Sequence, residues 1–248
     1  LIRPCLLIPV YNHPATIGPL VASLDPLRLP VILVNDGSDS ACTRVLRELQ
    51  QRFRQVQLVE RERNGGKGAA VKSGLAEAYR LGFSHALQVD ADGQHETGDL
   101  PTLLELAEQH PRAVISGAPN FSNAPRLRYY GRYLTHIWVW INTLSLDIVD
   151  SMCGFRAYPL EQTLAVLNHA NTGDRMDFDP EILVRLHWAG VEVIQFQTAV
   201  HYPEDGISHF HGLRDNALIS WAHTRLFFGM LLRLPYLLRR KWKSRDGN

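Results

Sequence analysis

Apolar runs and polar clusters alternate along the first half of the chain. "CLLIPV" at residues 5–10, "PVILVND" at 30–36, "VQLVE" at 56–60 and "HALQVD" at 85–90 are short apolar runs bounded by polar residues, the pattern of strands buried on both faces. Between them, residues 16–24, 44–53 and 68–81 have the spacing of helices. Strand and helix in alternation predict an α/β domain built on a mostly parallel, Rossmann-like sheet flanked by helices. In such sheets ligands bind beyond the carboxyl ends of the strands. The residues that follow each run therefore carry the information: "YN", "NDGSD", "RNGGKG" and "DADGQH", which this topology gathers at one edge.

Each cluster alone has a plain reading. "NDGSD" has the composition of a turn. "NGGKGAA" feeds a helix N-terminus and lacks the spacing of the nucleoside-triphosphate loop G-x-x-x-x-G-K-[ST]. Asp90 and Asp92, paired at a strand exit, fit turn chemistry nearly as well as a metal site. Together, the four clusters describe a site for an anionic ligand that carries a base, a sugar and phosphates.

Composition narrows the picture. With 248 residues, 45% of them hydrophobic and 21% charged, the chain can bury a sizeable core. A formal charge of +1 gives no general attraction to nucleic acid, so none is expected as a partner. The charges are uneven, however. No acidic residue lies between Asp215 and Asp246, a stretch that holds Arg225, Arg233, Arg239, Arg240, Lys241, Lys243 and Arg245. Cys5, Cys42 and Cys153 have neither metal-ligand spacing nor an even count, which points to a reducing, cytoplasmic setting. No apolar run is long enough to span a bilayer, and "LIRPCLLIPV" is too short and strand-like for a signal peptide.

"IPVYN", "VNDGSD", "NGGKGAA" and "DADGQH", in this order, resemble the nucleotide-binding half of family 2 glycosyltransferases with the GT-A fold. "DADGQH" and "DSMCGFRAY" are most similar to the branch of dolichyl-phosphate mannose synthases and other lipid-acceptor enzymes, and the resemblance spans residues 5–210. It implies a metal-dependent, inverting transfer of a sugar from a nucleotide-diphosphate sugar. Asp90, Asp92 and Gln94 would hold Mg²⁺ or Mn²⁺, hard cations suited to oxygen ligands, with Asp92 also counted as catalytic. Asp36 would accept a hydrogen bond from the nucleobase, Tyr11 would stack near base or ribose, and Asn64 and Lys67 would line the pocket. Pro9, Asn12 and Ala91, from the same motifs, would lie along the nucleotide sugar. Asn35 stands where the family commonly has Asp, which leaves the nucleobase open.

The resemblance divides the domain into a donor half, 1–118, and an acceptor half, 119–215. Aligning "RLH" and "AG" of "MDFDPEILVRLHWAG" with the family places Asp179 at its usual second carboxylate, the candidate base, with Phe178 where Glu is common. Asp179 before Pro180 also reads as a helix N-cap. An acceptor that is already an ionised phosphate would need no base. Arg128 and Arg132, four apart on one helix face, and Arg156 in "GFR" are candidates for binding an acceptor phosphate; Arg128 reads equally well as a snorkelling surface charge. "SGAPNF" departs from the mannose synthases after the fifth strand and argues against a polyprenyl-phosphate acceptor. His201, His209 and His211 read as an acceptor-side loop and not as a zinc site.

Residues 216–248 read as an amphipathic basic tail. Leu226, Phe227, Phe228, Met230, Leu231, Leu234, Leu237 and Leu238 would sink below the headgroups at the inner face of the cytoplasmic membrane, and a helix packing on the domain or a subunit is the alternative. The expected protein is thus a glycosyltransferase with a lipid-linked or amphiphilic acceptor. Two competing readings keep the donor half: a nucleotidyltransferase that releases pyrophosphate, and a non-catalytic nucleotide-sugar or lipid-binding protein.

Overall fold

The computed structural model describes residues 1–93, 97–119, 126–199 and 212–246, with side chains for all of these except 126–132 and 243–246. The strands are β1 (Pro4–Val10), β2 (Val31–Asn35), β3 (Val56–Glu60), β4 (His85–Gln88), β5 (Val114–Pro119), β6 (Arg156–Pro159) and β7 (Val193–Thr198). The helices are α1 (Pro14–Leu24), α2 (Ser40–Arg52), α3 (Lys67–Arg80), α4 (Leu100–Gln109), α5 (Arg126–Thr143), α6 (Leu160–His169), α7 (Phe178–Trp188) and α8 (Gly212–Asp246). The sheet runs β3-β2-β1-β4-β6-β5-β7. β6 alone is antiparallel to its neighbours β4 and β5; the other described pairings are parallel.

All four strands predicted from apolar runs are present. α2 starts four residues before the expected Arg44, because the Asp39 carboxylate caps it by accepting a hydrogen bond from Cys42 N at 2.8 Å. Along β1, Cys5 and Leu7 face one layer while Leu6, Ile8 and Val10 face the other, so the strand is buried on both sides. α1, α2 and α4 cover the second face through Ile17, Leu20, Leu46 and Leu103; α3, α6, α7 and α8 cover the first through Val71, Leu160, Ile182 and Leu226. All three cysteines are free and buried.

α8 departs from the expected tail. Leu226, Met230 and Leu237 are 1–4% exposed members of the core, and Phe227 and Leu234 pack against it. Of the eight residues assigned to lipid, only Phe228, Leu231 and Leu238 face outward; Trp221, Leu232, Tyr236 and Trp242 join them. The basic cluster is thinned in the same way. Arg225 donates to the buried Glu181 carboxylate at 3.0 Å, Arg240 to the His187 carbonyl at 2.5 Å and Lys241 to the Leu144 carbonyl at 2.9 Å, while Arg233 lies over the Trp188 ring. α8 is therefore a wall of the domain with a second, outward apolar face. Among the described residues, no helix is long and apolar enough to cross a membrane.

His223, on the inner face of α8, is 3% exposed, and burial lowers its pKa to about 4. An unfolded histidine binds its proton near pH 6.5. As pH falls from about 6.5 toward 4 the unfolded chain takes up a proton that the folded one refuses, so stability is lost across that window. Between pH 7 and pH 5 this costs about 1–2 kcal/mol for His223. Chemical denaturation at the two pH values should show that loss in the wild type and a smaller one in His223→Gln; an equal loss in both would remove His223 as its source.

Candidate functional site

Because β1 to β4 are parallel, the residues after them meet at one edge. Asn12 lies beyond β1 with φ +53; its side-chain oxygen accepts from Asp39 N at 2.8 Å and its own N–H donates to Ser38 Oγ at 3.1 Å, which ties the β1 exit to the β2 exit. Asn35 ends β2, and its side chain accepts from Ser38 N and donates to Thr43 Oγ1. Pro9 is a half-buried member of β1 opposite Val34. Ala91 is buried, with its carbonyl accepting from Thr16 Oγ1 at 2.7 Å. Tyr11 is half-buried at the same edge. These positions frame the site through backbone and turn contacts.

Asp36 takes a different place from the one expected of it. Its carboxylate is 2% exposed and accepts hydrogen bonds from Asn64 Nδ2 (3.1 Å), Gly65 N (3.0 Å) and Gly66 N (2.8 Å), with Arg61 Nε 2.8 Å away as an ion pair. Three hydrogen bonds and a buried ion pair engage both oxygens of this carboxylate, so its partners are those of the loop that follows. Asp36 instead shapes the "NGGKG" loop. Gly66 (φ +102) then turns the chain into α3, and a side chain there would strike Arg175 and the Asp174 carbonyl.

The loop delivers Lys67 to the centre of the site. Its ammonium lies 2.9 Å from Asp90 Oδ2, at the β4 exit, and 2.9 Å from Asp179 Oδ2, at the start of α7. Side-chain exposures of 15%, 20% and 4% make this a largely desolvated triad. Burial alone would lower the lysine's pKa; the charges of Asp179 and Asp90 more than reverse that and hold it above the ordinary lysine range. Gln88 Nε2 donates to Asp90 Oδ1 at 3.2 Å. Asp179 is the second residue of α7, not its N-cap. Asp177 holds the cap position, and its carboxylate turns back to Arg175 N, so the Asp179 side chain is released toward Lys67. Asp179 Oδ1 has no hydrogen bond in the structure.

Arg156 is a correction. The antiparallel pairing sets it opposite Gln88 at the β4 exit, but its side chain is fully buried. It donates to the carbonyls of Ser151 (2.7 Å) and Asp179 (2.8 Å) and to Tyr158 Oη (3.2 Å), so it cannot meet an acceptor phosphate. It supports the α7 start from below. Arg128 and Arg132 lie on α5 with side chains outside the described residues, and Gln94, His201, His209 and His211 lie outside them altogether. Asp92 is half-buried, and Gly93 follows it with φ +72, the turn its place after the aspartates anticipates.

Sequence reasoning passed over Gly154, inside "DSMCGFRAY". A Cβ there would lie 2.5–2.7 Å from both carboxylate oxygens of Asp90 and from Lys67 Nζ. The only signal was a glycine just before a short strand. It also passed over Glu181, whose 0%-exposed carboxylate accepts from Gly173 N, Arg185 and Arg225 and so ties α7 to α8.

This sheet, with its polar exits gathered on one edge, is the fold of GT-A glycosyltransferases. The mannosyltransferase PcManGT from Pyrobaculum calidifontis, solved with GDP-Man and Mn²⁺, aligns with a TM-score of 0.60 at 13% identity, over 100% of this chain and 76% of its own. The glucosyl-3-phosphoglycerate synthase of M. tuberculosis aligns with a TM-score of 0.61 at 17% identity, over 93% of this chain and 80% of its own. Residues 5–164 match the sequence pattern of glycosyl transferase family 2, and the chain belongs to that family. It is an enzyme of the glycosyltransferase class, which sets aside the nucleotidyltransferase and non-catalytic readings. Similar proteins include the UDP-N-acetylglucosamine–dolichyl-phosphate N-acetylglucosaminyltransferase of Methanococcus voltae, 27% identical over 72% of this chain and 78% of that protein. The polyprenol monophosphomannose synthase of Mycolicibacterium smegmatis is 26% identical, over 85% of this chain and 82% of its own.

Gly154→Ala should crowd the Lys67–Asp90 pair and lower stability by about 1–3 kcal/mol, as overpacking does. Urea denaturation measures it; an unchanged midpoint would mean that the pair is not seated against Gly154.

Proposed function

We propose that this glycosyltransferase moves a sugar from a nucleoside-diphosphate sugar to the phosphate of a polyprenyl-type lipid at a membrane surface, with inversion at the anomeric carbon and a divalent cation in the donor site. The observation that carries this reading is the bridging of Asp90 and Asp179 by Lys67 at the exit edge of a family 2 sheet. It joins the donor side, at the β4 exit, to the acceptor side, at the α7 start. The names of similar proteins support a lipid phosphate as acceptor, against the "SGAPNF" departure.

Asp90 and Asp92 offer hard carboxylate oxygens two residues apart, a donor set that fits Mg²⁺ or Mn²⁺, with Lys67 2.9 Å from Asp90 Oδ2 as the charge the cation must share it with. Among the described residues no group of three or more His, Cys, Asp or Glu assembles a metal cage; the family resemblance supplies Gln94, which lies outside the described residues, as a third protein ligand. The cation would offset the charge that develops on the leaving diphosphate. Lys67 adds a positive charge beside it. The lipid phosphate, ionised at neutral pH, attacks without a base, and Asp179 serves to hold Lys67 charged and in place. Asp179 Oδ1, which accepts no hydrogen bond and has the Arg156 guanidinium 3.8 Å away, favours a second reading, in which Asp179 takes a proton from a hydroxyl acceptor.

Transfer assays with undecaprenyl phosphate and with a hydroxyl-bearing lipid separate the two. Under the main reading nucleoside diphosphate is released with the phosphate acceptor, Asp92→Asn abolishes turnover, and Asp179→Asn retains it within about tenfold. A loss of roughly a hundredfold or more in Asp179→Asn, confined to a hydroxyl acceptor, would establish the base instead.

The outward face of α8 carries exposed Trp221, Phe228, Leu231, Leu232, Leu238 and Trp242, and α5, which packs against α8, exposes Leu134, Trp138 and Ile141. The exposed Arg239 lies beside these residues. This combination supports peripheral docking on an anionic membrane, and the free cysteines fit its reducing, cytoplasmic side. Replacing Phe228 and Leu232 together by Ser should weaken binding to phosphatidylglycerol-containing vesicles by about a hundredfold or more, since each buried side chain contributes about 1.5–3 kcal/mol. Both are more than 60% exposed, so folding and nucleotide binding should persist. Sedimentation with vesicles reads the effect, and unchanged binding would move this face to a protein interface.

A further inference from the structure

Lys67 does more than line a pocket. Its ammonium sits 2.9 Å from Asp90 Oδ2, an oxygen that a divalent cation would use, and two positive charges sharing one carboxylate oxygen repel each other. It also has somewhere to go. Asp179 Oδ2, on α7 and not at the β4 exit, is an equally close second anchor, and the lysine stem is flexible. At the α3 start the N–H groups of Gly65 and Gly66 are bound to Asp36 and that of Ala69 to the Asp174 carbonyl, so these three donors are taken, and the Lys67 ammonium is the charged group of this helical turn that a diphosphate can share.

Resting on the donor-site reading above, we propose that Lys67 is a resident counter-cation which closes Asp90 to free divalent metal and yields it only when a nucleoside diphosphate arrives to share the ammonium, so that metal and nucleotide enter together. In the empty site Lys67 neutralises Asp90. When the diphosphate enters, its oxygens join Asp179 as partners for the ammonium, and Asp90 becomes available to the metal. The lysine thus sets the order of loading, a role distinct from simple contact with the nucleotide, which would make metal affinity without nucleotide indifferent to Lys67.

Mn²⁺ binding to the intact protein, followed by loss of the free Mn²⁺ electron paramagnetic resonance signal, tests this without any turnover. Without nucleotide, Lys67→Met should bind Mn²⁺ roughly tenfold or more tighter than the wild type, because the competing charge is gone. Adding UDP or GDP should raise Mn²⁺ affinity strongly in the wild type and by a smaller factor in the variant. Equal or weaker Mn²⁺ binding by Lys67→Met overturns the inference, with nucleotide binding by the wild type leaving the donor-site reading intact. If neither protein binds UDP or GDP with Mn²⁺, both fall. Should Lys67→Met fail to fold, judged by its melting curve, Lys67→Gln keeps hydrogen bonds to both carboxylates and takes its place. A wild type that binds Mn²⁺ as tightly without nucleotide as with it overturns the inference with no variant at all.

Discussion

A lysine ammonium held between two aspartates in a nearly dry pocket is stable only while all three charges stay together. Lys67, Asp90 and Asp179 come from the start of α3, the exit of β4 and the start of α7, so their pairing fixes how those elements meet. Removing one member of such a group leaves an unpaired buried charge, at a cost of about 3–5 kcal/mol. Much of the surrounding detail serves this constraint. Gly66 turns the chain so that Lys67 opens the helix, Gly68 lets α3 approach Phe178, Gly154 leaves room beside Asp90, and Arg156 holds the Asp179 backbone from beneath.

The first four strands and the polar clusters beyond them were legible because their signals are local. An apolar run bounded by turn residues needs no partner to be recognised, and parallel strands bring their exits together by geometry alone. The resemblance carried the site further, to Lys67, Asp90 and Asp179, and what it could not carry were roles that depend on distant contacts. Asp36 looks like a ligand-binding carboxylate until three donors of the following loop close on it. Arg156 reads as a phosphate-binding cation, since nothing near it in sequence announces that its strand inserts between β4 and β5. Asp179 reads as a cap because Pro180 follows it, but the helix begins two residues before Pro180, at Phe178, with Asp177 at the cap position.

α8 is the helix the tail predicts, but which of the two readings of its apolar residues holds, lipid or domain, is hidden for a related reason. Its apolar residues are spread around the helix, and periodicity alone does not say which of two apolar faces meets the core. Tertiary contacts decide. Leu226, Met230 and Leu237 complete the layer over α7, and Arg225 reaches Glu181 in the helix that presents Asp179. The outward face is left to whatever covers it, and that face and the catalytic edge belong to one packed body.

The insertion of β6 also bears on how the molecule assembles in time. β1 to β4 pair among segments within about the first ninety residues, whereas β6 must return across some seventy residues to join His85–Gln88, and only then does β5 gain a neighbour on that side. Closing so long a loop is slow compared with local pairing. The donor half can therefore form its strands early, while the strand that arrives late brings Gly154 and Arg156 with it. A chain in which only β1 to β4 have paired holds the donor motifs but lacks the floor on which Asp179 rests, because Arg156 arrives with β6.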